Sequence, residues 1–358
     1  MNVEALRVAR EALGLTQTDL AGASGLEQSD LSRWERGIRV PNNEQLRILA
    51  DTLQVSVAML TDEGLRFSHP VHRTQRAETK RTERKVNGRI ELARVAGSRL
   101  LADINIDTPF AFPTSEEPAP AGPEEAAEAI RRVWRIPAGP IDDLTAVVET
   151  AGAVVAPVDF GYDGVLAAYS NLRNDHRWCF INTRATDGAQ VRFSLAHEIG
   201  HALLHWDRFN APTGKDAERE ANRFAAALLM PRAEILAVLG RARITLDELV
   251  EVRRRWRVSV QALMRRAQDL ELITSDQYVR LYKQLSRRGW RKSEPVAIPV
   301  ETPIILTEAL NVQRNTHHYS DNELAEITGF GQERLADLLP AHFAPPAQRG
   351  RPTLSVVR

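Results

Sequence analysis

His197 and His201 stand four residues apart, and Glu198 follows the first of them, in the run Phe193-Ser-Leu-Ala-His-Glu-Ile-Gly-His-Ala-Leu-Leu-His205. Residues four apart share one face of an α-helix, about 6 Å apart along its axis. Two imidazoles so placed can hold one Zn²⁺, and a glutamate beside the first can take a proton from water that the ion polarises. Metal brings the pKa of such a water to near neutrality, which supplies a nucleophile for a peptide carbonyl. Imidazole and carboxylate also accept manganese or iron. A catalytic ion further needs a third protein ligand and an open position.

The third ligand is sought in Asp216-Ala-Glu-Arg-Glu-Ala-Asn-Arg-Phe-Ala-Ala-Ala-Leu-Leu-Met-Pro231. Ala221, Phe224, Ala225, Leu228 and Leu229 repeat at helical spacing, and Pro231 ends the helix. Glu218 precedes Ala221 by three and can share that face; Glu220 falls about 160° away from it. Glu218 is therefore the expected ligand and Glu220 a solvated charge. His205 lies about 12 Å beyond His197 and about 80° round the helix, too far for the same ion. It is expected to pack or to sit behind the ligands. Tyr162, Tyr169, His176 and Arg192 are candidate donors to a developing negative charge, and the sequence does not rank them.

Arg192 to His205 and Glu218 to Pro231 resemble the ImmA/IrrE family of bacterial metallopeptidases. The likeness extends through Ile130-Arg131, Gly139-Pro140-Ile141 and Glu149 to Gly152, and downstream through Trp256 to Leu263 and Gly289-Trp290-Arg291. It covers roughly 122–295. The resemblance implies zinc, with His197, His201 and Glu218 as ligands and Glu198 as catalytic base. It also implies cleavage of a specific repressor protein.

The chain opens with short helical patterns. Val3 to Leu13 reads as one helix, Thr16 as the N-cap of a second through Leu20 and Ala21, and Ala23-Ser24-Gly25 as a turn. Glu27 to Arg36 follows as a third helix, Pro41 opens a loop, and Leu46 to Leu53 is a fourth. Leu15-Thr-Gln-Thr-Asp-Leu-Ala21, Leu31-Ser-Arg-Trp-Glu-Arg-Gly37 and Pro41 resemble the XRE family of helix-turn-helix repressors, over 3–60. In that docking geometry Gln28, Ser29 and Ser32 face base edges and Gln17 touches phosphate. Arg33 and Arg36 are weaker candidates for backbone contacts, and Trp34 is a core residue.

Residues 1–61 hold six Lys/Arg against eight Asp/Glu, a net of −2. Non-specific DNA affinity comes mainly from neutralised phosphates, so this module alone binds weakly. Dimerisation to a homodimer or the neighbouring segment must add the rest. In residues 63–94 nine Lys/Arg face four Asp/Glu, a net of +5. The run Arg73 to Lys85 is either a basic arm or helix beside the reader, contacting DNA, or a solvated linker. Pro109 to Pro123, rich in Pro, Ala and Glu, reads as an extended linker.

With 358 residues, 43% hydrophobic and 26% charged, the chain is expected to be a soluble multidomain protein. It carries 47 basic and 47 acidic residues, so global charge selects no partner. No stretch suits a signal peptide or membrane span. The single cysteine, Cys179, excludes an internal disulfide, agrees with a cytoplasmic location, and reads as a small buried residue.

The expected fold is an all-α helix-turn-helix domain, then an α+β zincin-like metallopeptidase domain and a mostly helical C-terminal region. The expected divisions are 1–62, 63–121 (basic helix and linker), 122–295 and 296–358. Helices are expected at Val86 to Leu101, Pro123 to Arg135, Pro140 to Thr150, Leu246 to Trp256, Val260 to Leu270 and Asp276 to Arg288. Strands are expected at Ala153 to Val158, within Tyr162 to Ser170, and at Arg177 to Ile181. Arg253 to Arg257 is read as a solvated basic face and Val296 to Leu306 as strand-like. A helix pair is expected around Asp321 to Leu339, capped by Ser320 with Glu323; the tail from Pro345 is read as loose.

The functional expectation is a zinc endopeptidase fused to a DNA reader, with a repressor protein as substrate in trans, or itself in cis. The rivals are an XRE-type regulator whose metallopeptidase-like domain only senses or dimerises, and an antitoxin-like protein-binding partner. The intact Glu198 argues for the enzyme, because a structural metal needs no base and is usually closed by four protein ligands.

Overall fold

The computed structural model describes residues 1–68, 71–74, 79–112, 122–172, 175–205, 214–240, 243–331, 334 and 353–356. The chain forms two compact units, each discontinuous in sequence. Met1–Thr108, Gly152–Arg184 and Thr302–Arg358 make the first; Pro109–Ala151 and Ala185–Glu301 make the second. The secondary structure follows the expected succession: a helical helix-turn-helix region, a mixed α/β part with a small sheet, and a mostly helical C-terminal region.

The first unit opens with Val3–Ala12 (α1), Gln17–Ser24 (α2), Gln28–Glu35 (α3), Asn43–Leu53 (α4) and Val57–Thr61 (α5). Asn2, Thr16, Asn42 and Ser56 cap four of these by accepting backbone N–H bonds. Gly25, at φ 70°, ends α2 in the left-handed region that glycine adopts without strain. Leu6, Leu20, Leu31, Trp34, Leu49 and Leu53 are completely buried between the helices. Trp34 is thus a core residue, as read from the sequence.

Of the readings of the basic segment, the helix beside the reader is the one found from Lys80 on. Val71–Thr74 (β1) pairs in a sheet, 75–78 lie outside the described residues, and Lys80–Leu100 (α6) is a helix with two buried sides. Leu92, Val95 and Ala96 share the core of the helix-turn-helix, while Val86, Ile90, Ala93 and Leu100 share the core beneath the sheet. Two glycines permit this. A Cβ on Gly88 would come within 2.6 Å of the Ala12 nitrogen on α1, and one on Gly97 would overlap the indole of Trp178. The charge pattern suggested a solvated segment because hydrophobic residues interleaved at two helical phases resemble no single stripe.

Behind α6 lies a four-stranded sheet. Val165–Asn171 (β4) pairs antiparallel with β1 and with Arg177–Asn182 (β5), and Ala153–Val158 (β3) pairs parallel with β5, in the order β1-β4-β5-β3. β3 is buried at all six positions, as its unbroken apolar run implies. Cys179 is buried in β5. Ile104–Asp107 (β2) pairs antiparallel with Thr353–Val356 (β6), and Ile305–Thr316 (α15) and Asp321–Thr328 (α16) complete the unit.

Two C-terminal expectations, for 296–306 and for the tail, need correction, and one is met as far as the described residues reach. The segment 296–304 is irregular and α15 begins at Ile305; Pro299 and Pro303, lacking N–H groups, disfavour a strand there. The Ser320 capping box is present, but of the expected second helix in 329–339 the residues 332–333 and 335–339 lie outside the described residues. The tail is anchored at 353–356, where Leu354 packs against the core of the first unit.

The second unit comprises Pro123–Val133 (α7), Leu144–Thr150 (α8), Gly188–Leu204 (α9), Lys215–Leu229 (α10), Arg232–Leu239 (α11), Leu246–Trp256 (α12), Val260–Asp269 (α13) and Ser275–Arg287 (α14). The expected linker divides: 113–121 lie outside the described residues, but Phe112 is buried edge-on against Trp134, ring centroids 5.0 Å apart. Among the described residues no helix is long and apolar enough to cross a membrane.

Buried arginines bind this unit together. Arg131 donates to the Leu228, Pro137 and Gly139 carbonyls. Arg266 donates to the Met230 carbonyl and both carboxylate oxygens of Glu124. Arg253, expected on a solvated face, is 1% exposed and reaches Asp187, Glu294 and the Val296 carbonyl. Only Arg254 and Arg255 of that run are fully at the surface. A charge run along a helix cannot reveal that one member faces a pair of distant carboxylates.

Candidate metal centre and nucleic-acid interface

α9 begins at Asp187, whose carboxylate accepts the Ala189 N–H. Its start is held by the Ile298 carbonyl, which accepts from Gly188 at 2.8 Å; a Cβ at Gly188 would overlap Pro299. Further along, Arg192 is buried and bridges Glu301 and the Ile141 carbonyl. Glu301 in turn accepts from the Thr145 backbone and hydroxyl at 2.9 and 3.0 Å. Arg192 therefore anchors α9, a role that accounts for its conformation without any contact to substrate.

α10 packs tightly on α9 because Gly200 has no side chain. A Cβ there would stand 3.0 Å from Phe224 and 3.2 Å from the Ala221 Cα. The glycine inside the histidine motif, with the small Ala221 opposite, brings the carboxylate of α10 to the imidazoles of α9. His197, His201 and Glu218 each offer a ligand atom, all within 4.8 Å of one another. The two Nε2 atoms are 3.0 Å apart, and the Glu218 oxygens lie 3.5 Å from His197 Nε2 and 3.2 Å from His201 Nε2. A tetrahedral ion with ligands at about 2.0–2.1 Å separates them by about 3.3 Å. The donor set and its spacing fit one divalent metal of the zinc class.

Burial grades across the centre. His197 and Glu198 are wholly buried, His201 is mostly buried, and the Glu218 side chain is 49% exposed. Glu218 therefore sits at the open side of the centre. Burial pushes the His201 imidazole below its ordinary pKa, against a raising influence from Glu218 and with a further lowering by His205. The neutral imidazole so favoured is the form that binds metal.

His205 does not reach the ligand triangle, as its spacing requires, but its Nδ1 lies 2.9 Å from His201 Nδ1. Its Nε2 lies 3.2 Å from Glu220, the glutamate expected to be merely solvated. With His201 Nε2 committed to a metal, Nδ1–H of His201 donates to His205 Nδ1, and Nε2–H of His205 donates to Glu220. The carboxylate thereby orders both tautomers. Helical phase correctly separated Glu220 from Glu218; it could not show that Glu220 meets the end of α9.

The residues expected to read DNA lie on α2 and α3. Gln28, Ser29 and Arg33 are exposed, and Gln17 and Ser32 are partly exposed. Gln28 Nε2 donates to Gln17 Oε1 at 3.0 Å, and Gln17 Nε2 donates to Glu35 at 2.9 Å. Glu35 is held by the buried guanidinium of Arg10. A primary amide has two N–H groups, so one donation leaves Gln28 a donor and an acceptor for a base edge. Arg33 pairs with Asp30 at 3.3 Å, and Arg36 donates to the Ser32 carbonyl.

Residues 159–268 match the model of a peptidase family described as the IrrE N-terminal-like domain. Residues 6–60 match a family described as helix-turn-helix. The two matches reproduce the arrangement expected from the sequence, an XRE-type module followed by a metallopeptidase-like domain. No curated protein matches the chain.

Proposed function

We propose that this chain, which joins a helix-turn-helix region to a metallopeptidase-like domain, is a zinc-dependent endopeptidase that regulates transcription by cleaving a repressor protein, in trans or within itself. The observation that carries the reading is the ligand triangle of His197, His201 and Glu218 with buried Glu198 next to it in α9. When bound, zinc supplies Lewis acidity to water and to the scissile carbonyl. Glu198 takes a proton from the attacking water and delivers it to the leaving amine nitrogen. Its burial keeps that carboxylate from being levelled by solvent, while exposed Glu218 leaves the centre open on one side.

The functional divisions we propose are a reader at 1–62, a connecting segment at 63–121, a peptidase at 122–295 and a C-terminal region at 296–358. Gln17, Gln28, Ser29, Ser32 and Arg33 are the proposed DNA contacts. A cytoplasmic location suits a DNA partner and the lone buried cysteine. A non-catalytic regulator is the second reading. It is favoured by α6, whose buried sides join the core of the helix-turn-helix to the core under the sheet.

Metal content by mass spectrometry and mapping of new protein termini in a lysate lacking the gene separate these readings. For the peptidase, wild type and Glu198→Gln each carry about one zinc, and His201→Ala loses it. Cleavage by Glu198→Gln falls about 10²–10⁴-fold. If Glu198→Gln and wild type leave identical termini, with and without an inducing stress, the protein is the non-catalytic regulator.

A further inference from the structure

The first turns of α6 carry charge that its packing does not require. Lys80, Arg81, Arg84, Lys85 and Arg89 face one acidic residue, Glu83, over ten positions. Arg89 is committed, donating to the Ala12 and Asp159 carbonyls. Lys80 is exposed, and the side chains of Arg81 and Arg84 are each 64% exposed. Arg81 and Arg84 line a surface cavity of about 430 Å³ together with Gln17 and Thr18 of α2 and Gln28 of α3. Two of these are the glutamines assigned to DNA from the sequence.

Arg81 is held in place there. Its Nε donates to the Gly14 carbonyl at 2.8 Å, and a terminal nitrogen lies 3.2 Å from Asp19. Arg84 is more loosely placed, 4.0 Å from Glu11. A guanidinium has five N–H donors, so Arg81 keeps donors beyond those two bonds. Ion pairs this exposed contribute little to stability, so holding α6 against α1 and α2 is a weak explanation for two arginines. The close approach of Gly88 to α1 and the burial of Leu92, Val95 and Ala96 in the helix-turn-helix core already do that.

We propose that the N-terminal turns of α6 form an accessory phosphate clamp, in which Arg81 and Arg84 contact the DNA backbone beside the nucleotides approached by Gln17 and Gln28. The clamp rests on the reading of 1–62 as a DNA reader. It resolves the charge deficit of that module: its own residues are net negative, and the cations come from a helix outside the motif. Because α6 shares its hydrophobic core, these cations are carried rigidly with the reader. Lys80, two positions before Thr82 on the exposed first turn, adds long-range attraction.

The test is fluorescence anisotropy of the full-length protein on a labelled duplex of random sequence, across a series of salt concentrations. Each phosphate contact contributes about 0.9 to the slope of log affinity against log salt. The pair Arg81→Gln and Arg84→Gln should lower that slope by about 1.8 while the thermal midpoint stays at the wild-type value. Gln28→Ala, which removes a base contact, should leave the slope unchanged. A double variant with the wild-type slope overturns the clamp and leaves the reader intact. A lowered midpoint with an unchanged slope overturns it as well, making the arginines structural. If the wild type shows no salt-dependent binding, the DNA-reader assignment itself falls.

Discussion

Glu220 and Glu218 are separated by one residue, yet Glu218 clusters with His197 and His201 while Glu220 meets His205 behind them. Partners that orient a ligating histidine typically change metal affinity by about 10–100-fold. His205→Ala and Glu220→Gln should therefore each weaken zinc binding by that factor in competition with a chromophoric chelator. The circular dichroism of the metal-free protein should not change, because neither residue is in the main cores. Equal zinc affinity in wild type and both variants would make the His201–His205–Glu220 contacts incidental. At the same scale, Arg253 and Arg192 show how poorly charge alone predicts exposure. Each is 1% exposed because carboxylates distant in sequence, Glu294 and Glu301, come to meet them.

Two glycines make opposite predictions at the scale of elements. Gly88 lies where α6 crosses α1, and any Cβ must displace the backbone of Ala12. Gly88→Val should cost about 1–3 kcal/mol, the range for overpacking a tight contact, read as a lowered midpoint in urea. Gly22 is in α2 with ordinary helical backbone, and no atom lies within 4 Å of the place a methyl group would take. Gly22→Ala should stabilise by about 0.4–1 kcal/mol, since alanine reduces the freedom of the unfolded chain. If both shift the midpoint in the same direction, the close crossing of α1 and α6 is not the constraint. Helix ends were legible where they were read: Thr16 and Ser320 form capping boxes with the residue three positions later, and Thr245 and Thr274 do the same, since such a bond depends only on local geometry. α15 was not legible: its start follows two prolines and an isoleucine-rich run that reads equally as a strand.

The first unit is assembled from three stretches of chain, and its last strand comes from the C-terminal tail. Stopping the chain at residue 352 removes β6 and uncovers the surface against which Leu354 packs. This should lower stability by about 1–2 kcal/mol, part of the value of burying a leucine, visible as a lower thermal midpoint. An unchanged midpoint would mean that the pairing of β2 with β6 contributes nothing. What lies within one helical turn or one strand could be read along the chain: the His197–Glu198–His201 array, the Thr16 and Ser320 caps, the short helices of the reader, and the apolar runs of β3 and β5. Helical phase also selected Glu218 over Glu220. Which distant elements meet became visible only in the folded chain. Folding placed Glu220 on His205, buried the expected basic helix in two cores, and drew the tail into a strand. Local patterns are written along the chain by fixed bond geometry, whereas these meetings depend on where backbones can approach, at Gly88, Gly97 and Gly200, and on which buried charge finds its partner.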